Sequence, residues 1–225
     1  MNTKRMLVIA IVVLVFLALN CTAYATGEVY IDDFVIKNNG NAVLYDDFND
    51  GKLDGWTECQ DAKVTCSKSG CGMYLNKQHL YPAAALHNLD LKKPGIVEMT
   101  MSVYTTPRSE QYACSKEQAC PLYVILYSGE QTIIKATIFQ KFNEDGCRVG
   151  IGLKEDGSGA LTDQPVLVSN TWGVLSMRLD CNNGVADLSL NGKLMKTQKF
   201  MPELFSSFSK VLITSGFGDG SFRND

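Results

Sequence analysis

A hydrophobic period of two is the sequence feature that most constrains this fold. Across residues 96–104, apolar side chains at every second position alternate with Glu98, Thr100 and Ser102. Successive side chains of a β-strand point to opposite faces, so this pattern predicts a strand with one buried face. A helix would need a period near 3.6 instead.

Two later segments repeat this period. Apolar residues alternate with polar ones across residues 175–179 and again across residues 186–190. The dipeptide Asn191-Gly192 follows directly. Both of its positions tolerate the positive φ of a two-residue hairpin turn. The pattern predicts two antiparallel strands and a tight turn after the second.

The remaining runs complete an all-β pattern. Residues 122–127 and 133–139 are almost continuously apolar, as expected for strands covered on both faces. Residues 201–209, after Pro202, are the one segment that suggests a helix, and they are too few to change the class. Many short strands separated by Gly- and Asn-rich turns predict a two-sheet antiparallel sandwich.

The N-terminus predicts export. Lys4 and Arg5 precede a 14-residue apolar run, and Ala23-Tyr24-Ala25 follows it. This order is typical of a cleaved signal peptide. The run is shorter than the ~20 residues that a membrane-spanning helix needs, although an uncleaved anchor is the alternative. We therefore expect a signal peptide over residues 1–25 and one domain over residues 26–225, secreted, periplasmic or at the cell surface.

Composition argues against two classes of partner. The net charge of the chain is -3, and it has no basic patch of the kind that binds nucleic acid. No second apolar stretch reaches membrane-spanning length, so no membrane span is expected after cleavage of the leader.

The cysteines predict disulfides. Seven of the eight lie after the leader, and an exported chain reaches an oxidising compartment. Zinc is the alternative, but zinc sites favour paired C-x(2–4)-C spacings with close histidines, and Cys66-x4-Cys71 has no second pair to complete it. Two of the first three would pair, the fourth and fifth would close a short loop, and the last two would join neighbouring strands. The candidates are Cys59, Cys66, Cys71, Cys114, Cys120, Cys147 and Cys181.

Several segments together resemble a known family. Residues 45–51 (YDDFNDG) and 53–56 (LDGW) are similar to the opening of concanavalin A-like lectin/glucanase domains, including laminin-G-like ones. Residues 171–192, with a Trp at the start of one strand and Asn-Gly after the next, resemble their central hairpin. The resemblance implies a jelly-roll sandwich over essentially the whole mature chain.

One departure from the family has a consequence for strand order. Residues 29–36 (VYIDDFVI) look like the family's last strand, yet here they precede its first. Family members pair these two strands. We therefore predict a circular permutation in which residues 30–36 pair with residues 43–48. The alternative is an ordinary hairpin with the last strand missing, which would expose a sheet edge.

No catalytic residues are predicted. Laminarinase-like relatives carry Glu-x-Asp-x-x-Glu on one strand, a spacing that places a nucleophile and an acid together. Here Glu98 stands alone on its strand, and His79 and His87 have no recognisable nucleophile near them. The sequence favours a module without enzymatic activity.

The resemblance also implies a structural Ca²⁺ site. By position in the family, Asp32 and Asp47 would supply carboxylates and Gly51 a carbonyl oxygen. Calcium takes six to eight oxygen ligands, and acidic side chains facing each other across a hairpin otherwise repel. The alternative is that Asp46, Asp50 and Asp54 are turn residues and that Asp32 lies on a solvated edge.

Exposed aromatic side chains are the candidates for a sugar site, because they stack on pyranose rings. Four residues are predicted to bind ligand: Trp56, Tyr104, Tyr123 and Arg148. The glycines after Arg148 would let a ligand approach closely. Trp172 is expected in the core, as most large aromatic residues are, whereas both interpretations stay open for Trp56.

These observations lead to a ranked set of functions. The first is a non-catalytic binding module for carbohydrate or another extracellular ligand, stabilised by calcium. A structural or protein-interaction domain of an extracellular assembly is the second. An unrecognised glycan-active enzyme is the third. An exposed aromatic platform would favour the first, a flat apolar patch the second, and paired carboxylates in a groove the third.

Overall fold

The protein, seen in a computed structural model, is a sandwich of two antiparallel β-sheets. The structure describes residues 29–60, 62–67, 70–75, 83–106, 120–140, 146–153 and 160–215. The predicted all-β sandwich is confirmed. The predicted signal peptide lies outside the described residues.

The strands divide into sheets of eight and seven. The eight-stranded sheet has the spatial order β14 (Lys193–Lys199), β13 (Val185–Leu190), β12 (Trp172–Asp180), β7 (Ile96–Thr105), β1 (Val29–Asn38), β5 (Gly70–Leu75) and β4 (Ala62–Ser67), with β2 (Asn41–Asp46) also beside β1. The seven-stranded sheet has the order β11 (Ala160–Leu161), β10 (Arg148–Gly152), β9 (Gln131–Gln140), β8 (Cys120–Ser128), β15 (Ser207–Ser215), β6 (Ala83–Lys92) and β3 (Trp56–Gln60).

The period of two determines which side chains form the core. On β7 every second residue from Val97 to Thr105 is buried, and the intervening residues are partly exposed. β12 and β13 show the same alternation and pair with each other as antiparallel strands, as predicted. The buried side chains of both sheets form one continuous cluster, so the core lies between the sheets.

A β-bulge in β1 keeps its apolar residues facing the core. Asp32 pairs with Ser102 and Val35 with Thr100, so two residues of β1 oppose one residue of β7. Asp33 has φ 48° at this point, a left-handed conformation that aspartate tolerates better than most residues. Because the bulge adds one residue, Ile31 and Phe34 both point into the core, although they are three positions apart.

The predicted pairing of the first two strands is confirmed. β1 and β2 are antiparallel, with Phe34 opposite Asp46 and Val35 opposite Tyr45. β1 is an interior strand, because β7 lies on one side of it and β5 and β2 on the other. Circular permutation itself stays a prediction.

The central strands β8 and β9 of the seven-stranded sheet are buried on both faces, as the continuous apolar runs predict. Residues 122–126 and 133–138 are all buried. The outward-facing residues form a second apolar cluster, consisting of Ala84, Leu86, Tyr123, Ile125 and Leu212. The two sheets therefore differ, because the outer face of the eight-stranded sheet is only partly buried.

The segment with the helical pattern divides into a short helical turn and the start of a strand. A single turn of 3-10 helix covers Pro202–Phe205, and β15 begins two residues later. Proline is favoured at the first position of a helical turn. Phe205 and Phe208 are buried in the core, and the chain continues as a strand. Within the described ranges, no helix is long and apolar enough to cross a membrane.

The cysteines partly follow the predictions. Cys66 and Cys71 form a disulfide between β4 and β5, as expected for two of the first three. Cys147 and Cys181 were expected to join strands, but both are buried free thiols. Burial raises the pKa of both, to about 11 for Cys181. Cys114 lies outside the described residues, whereas Cys59 belongs to β3 and Cys120 begins β8.

Candidate functional site

A row of four aromatic rings crosses the outer face of the eight-stranded sheet. Tyr74, Tyr30, Tyr104 and Trp172 occupy directly opposed positions on β5, β1, β7 and β12. Successive ring centroids are 4.9, 5.9 and 5.5 Å apart. The row exists because these four residues alternate with core residues on their own strands, so all four side chains leave the sheet on the same side.

Exposure increases along this aromatic row. Tyr74 is buried and lies under the ammonium group of Lys63, 5.5 Å from the ring centroid. Tyr30 and Tyr104 are partly exposed, and the Tyr104 hydroxyl donates to Asn170 Oδ1 at 3.4 Å. Trp172 is 48% exposed. The row therefore has an anchored end at Tyr74 and an open end at Trp172.

A polar groove of about 390 Å³ lies further along the same face. Its charged lining comes from cross-strand neighbours, with Lys37 opposite Glu98, Glu98 opposite Arg178 and Arg178 opposite Asp187. The lining is completed by the hydroxyl groups of Thr100, Ser176 and Ser189 and by two apolar residues, Val35 and Met177.

Two hydrogen bonds fix side chains on this face. Thr197 Oγ1 donates to Asp187 Oδ1 at 2.6 Å, which holds the carboxylate at the edge of the groove. Ser102 Oγ donates to Asp33 Oδ2 at 3.3 Å, which holds the bulge of β1 against β7. The face thus combines apolar rings with polar side chains whose positions are set by the sheet.

Trp56, predicted as a ligand contact or a core residue, belongs to the core. It is 6% exposed, and its ring packs edge-on against Phe34 and His87 at 5.5 Å from each. Its Nε1 donates to Asp46 Oδ2 at 2.7 Å. Since Trp56 is on β3 and Asp46 on β2, this hydrogen bond connects the two sheets.

Trp172, predicted for the core, is an exposed member of the aromatic row. The sequence contains the signal for this. Leu175, Met177 and Leu179 point inward. Side chains at every second position share a face of the sheet, so Gly173 also points inward and Trp172 points outward. The Cβ of any larger residue at position 173 would meet Leu167 and Leu190, which explains the glycine beside the tryptophan.

The other predicted ligand residues do not lie together. Tyr104 belongs to the aromatic row, but Tyr123 is buried on the outer face of the opposite sheet. Arg148 is a partly buried residue of β10, also in that sheet. The glycine face after Arg148 was expected to admit a ligand, but a Cβ at Gly150 would meet Leu161 of this chain. β11 therefore takes the space that the glycine leaves.

The calcium site expected from Asp32, Asp47 and Gly51 stays a prediction. In the described part of the chain, no group of three or more acidic, histidine or cysteine side chains is arranged to hold a metal ion. Asp47 accepts from Asn49 N at 3.1 Å and from the Tyr45 hydroxyl at 3.2 Å. Asp46 and Asp50 accept from backbone N–H groups two residues later, as the turn alternative predicts.

Electrostatics in the acidic hairpin follow from this arrangement. Burial raises the pKa of Asp32, and the charges of Asp33, Asp47 and Asp46 add to the rise. Burial also raises the pKa of Asp46, against the hydrogen bonds from Phe48 and Trp56 that lower it. Hydrogen bonds from Asn49 lower the pKa of the exposed Asp47. The carboxylates thus serve turns and sheet contacts, and Asp32 lies at the bulge rather than at a sheet edge.

The residues considered for catalysis have other surroundings. His87 packs on Trp56, with Nδ1 2.7 Å from the carbonyl oxygen of Asn88. His79 lies outside the described residues. Glu98 lines the polar groove together with Asp187, a neighbour that the strand pattern alone did not reveal.

Comparison with known proteins supports the fold alone. No family model and no curated protein matches the chain. A sialidase structure is similar over 85% of this chain with a TM-score of 0.53 and 11% identity, but this chain spans only 16% of it. The structure of basic winged bean lectin with Tn-antigen is similar over 85% of this chain and 88% of the lectin, with a TM-score of 0.51 and 10% identity. The chain has the concanavalin A-like fold that the sequence resemblance implies.

Proposed function

We propose that this protein is a non-catalytic carbohydrate-binding module whose ligand binds the outer face of the eight-stranded sheet. The observation that carries the proposal is the aromatic row with its open end at Trp172, beside a polar groove on the same face. The ligand would stack on Trp172 and Tyr104 and hydrogen-bond to the groove.

The chemistry of the face suits a sugar. A pyranose ring has an apolar face of C–H groups and a rim of hydroxyl groups. Aromatic rings match the former, and side chains such as Glu98, Arg178 and Thr100 match the latter, since hydroxyls both donate and accept. A site of this kind combines apolar contact area with a few well-placed polar groups.

The fold is compatible with this function without deciding it. The basic winged bean lectin, which has a similar structure, was solved with the Tn-antigen, so this architecture can present a saccharide site. Folds of this type carry several activities, however, and the proposal therefore depends on the residues of the face itself.

Substitution of Trp172 tests the proposal. We expect Trp172→Ala to weaken binding to a retained polysaccharide by about tenfold or more, because truncating a central aromatic anchor costs upwards of ~1.4 kcal/mol. Trp172→Phe keeps a ring and should retain most of the affinity. Met201→Ala is the matched control, since Met201 is 66% exposed and lies outside this face. Equal binding by Trp172→Ala and the control would refute the site.

Glycan hydrolysis is the second candidate, and one observation favours it. Glu98 and Asp187 line the same groove on either side of Arg178. The two residues are two strand spacings apart, so about 9.6 Å separates their backbones. This is wider than the ~5 Å that separates the two carboxyl groups of a retaining glycosidase. Release of reducing ends from a bound polysaccharide, lost in Glu98→Gln, would establish hydrolysis and overturn the non-catalytic proposal.

A protein partner is the third candidate. Val174 is 41% exposed, two residues after Trp172 on β12, and Leu194 is 56% exposed on β14, opposite Ser189 of the groove. If these apolar side chains served a protein, Leu194→Ser would weaken that contact and leave glycan binding unchanged. Loss of glycan binding in Leu194→Ser would instead assign this residue to the sugar site.

Export belongs to the proposal as well. The basic and apolar leader, the Ala-Tyr-Ala sequence and the Cys66–Cys71 disulfide support an oxidising compartment outside the cytoplasm. The expected mature protein begins at Thr26. Intact mass and N-terminal sequencing of protein secreted by its own leader would show this cleavage, or its absence.

A further inference from the structure

Two parts of the outer face lie at a distance that a single sugar cannot bridge. Tyr104 belongs to the aromatic row and Glu98 to the polar groove, and they are six residues apart on β7. At 3.3–3.4 Å per residue, about 20 Å separates them along the strand. The neighbouring strand has the same arrangement, with Trp172 and Arg178 also six residues apart.

Hydroxyl side chains and one valine occupy the surface between these two parts. Ser102 and Thr100 follow Tyr104 at every second position of β7, and the exposed Val174 and then Ser176 lie beside them on β12. Thr100 Oγ1 donates to Ser176 Oγ at 3.5 Å, a contact weak enough to be exchanged for a ligand hydroxyl. No large side chain on β7 interrupts this path, so one ligand can contact the rings and the groove together.

The charges of the groove cancel. Lys37, Glu98, Arg178 and Asp187 alternate in sign across four neighbouring strands. No ion pair within 4.0 Å joins them in the part of the chain that the structure describes, although Asp187 Oδ1 accepts a hydrogen bond from Thr197. Such a set donates to and accepts from hydroxyl groups equally. A polyanionic ligand would be attracted by the two cations and repelled by the two carboxylates.

Acidic residues lie beside the path as well. Asp33 is held at the bulge by Ser102, and Asp32 precedes it on β1. Together with the net charge of -3, these carboxylates oppose uronate, sulfate or sialic acid groups along the path.

From these observations we infer that the ligand is an uncharged, extended glycan that lies along β7 and β12, with one end on Trp172 and Tyr104 and the other in the groove at Arg178. This inference rests on the proposed function and specifies its ligand class. Affinity should rise with chain length until the oligosaccharide spans both parts, because each part adds contacts that a shorter ligand lacks.

Affinity electrophoresis of the oxidised protein tests the charge selectivity. The gels contain a neutral β-glucan, xylan or mannan, or polygalacturonate or alginate, each at low and high salt. We expect retention by at least one neutral polysaccharide with little salt dependence, and none by the polyuronates. The variant Glu98→Gln/Asp187→Asn, which leaves the groove with two uncompensated cations, should gain retention by polyuronate at low salt.

Calorimetric titration with oligosaccharides of the retained polysaccharide tests the span. Affinity should rise by about tenfold or more from disaccharide to hexasaccharide, and Trp172→Ala should flatten that rise because one end is lost. Retention by polyuronate in preference to neutral polysaccharides would overturn the inferred ligand class, and equal affinity for both lengths would overturn the span. Both results leave carbohydrate binding intact. Retention by none of the polysaccharides would refute the proposed function and the inference together.

Discussion

At the scale of single residues, the hydrogen bond between Trp56 and Asp46 connects the two sheets. A buried indole N–H needs an acceptor, and Asp46 Oδ2 at 2.7 Å provides a charged one across the sandwich. The same carboxylate accepts from Phe48 N, so it also shapes the loop that follows β2. Asp46 therefore ties the hairpin to the opposite sheet.

Removal of this acceptor should destabilise the fold. We expect Asp46→Ala to lower the free energy of unfolding by about 2 kcal/mol, because a hydrogen bond to a charged group is lost and the indole N–H stays buried. Urea unfolding followed by tryptophan fluorescence measures this. Asp54→Ala is the control, since its contact with Lys52 is an exposed 3.8 Å pair that should contribute less than about 0.5 kcal/mol. Equal effects of the two variants would contradict the role of Asp46.

Asp32 should make stability depend on pH in an unusual direction. Its pKa is raised in the folded state by burial and by neighbouring carboxylates, so its contribution is favourable below the unfolded value of ~3.9 and is lost as the pH rises through the folded value. We expect Asp32→Asn to be more stable than the natural protein at pH 7 and to lose this advantage near pH 3. Thermal unfolding across that range measures the difference.

Asp180 provides a control of opposite sign. Hydrogen bonds from Asn183 lower its pKa, so its stabilising contribution is present above the unfolded value and is lost as the pH falls. Asp180→Asn should therefore be less stable at pH 7, with the deficit shrinking in acid. If Asp32→Asn followed the same trend as Asp180→Asn, the repulsive environment assigned to Asp32 would be wrong.

At the scale of strands and turns, two glycines with positive φ have different reasons to be glycine. Gly184 in the β12–β13 turn has φ 61°, and a Cβ there would collide with the carbonyl oxygen of Phe200. Gly192 in the β13–β14 turn has φ 76°, but a Cβ there would meet nothing within 4 Å.

The two turns should consequently respond differently to alanine. Gly192→Ala adds backbone strain alone and should cost about 1 kcal/mol. Gly184→Ala adds strain and displaces Phe200, whose N–H donates to Gly184, so roughly 3 kcal/mol is expected. Chemical denaturation of both variants gives the comparison. A similar cost for both would show that the Phe200 segment moves aside freely.

Strand positions could be predicted from the sequence because they depend on local period and turn chemistry. The hairpin ending at Asn191-Gly192 and the buried strands β8 and β9 follow the predictions. The bulge at Asp33 could not be predicted, because an inserted residue breaks the period that the prediction uses. Cys147 and Cys181 were assigned to disulfides from position, but pairing depends on distances that strand order alone does not give.

The candidate site was less predictable, since its residues come together only through strand pairing. Tyr104 was identified, but Trp172 was assigned to the core and Trp56 was left open. Counting inward positions back along β12 would have placed Trp172 outside. By contrast, nothing local to Tyr30 or Tyr74 shows that they continue the same row.

At the scale of the whole molecule, calcium is not expected to contribute to stability. The Asp47 carboxylate already accepts hydrogen bonds from Tyr45 and Asn49, and the described residues include no group of three or more acidic, histidine or cysteine side chains arranged to hold a metal ion. We predict the same midpoint of thermal unfolding with excess calcium and with a chelator. A ligand at a hundredfold excess over its dissociation constant would stabilise the fold by about 2.7 kcal/mol. A rise of that size, lost in Asp47→Ala, would show that the acidic loop rearranges around the ion.

The aromatic row also has a consequence for how this molecule acquires activity. Its four rings come from positions 30, 74, 104 and 172, so strands from distant parts of the chain must all be in register before the row exists. Each ring is placed by the strand beside it. Ligand recognition would then depend on pairing between strands that are distant in the chain, and a molecule with one of these strands misplaced would lose the contacts of its ring.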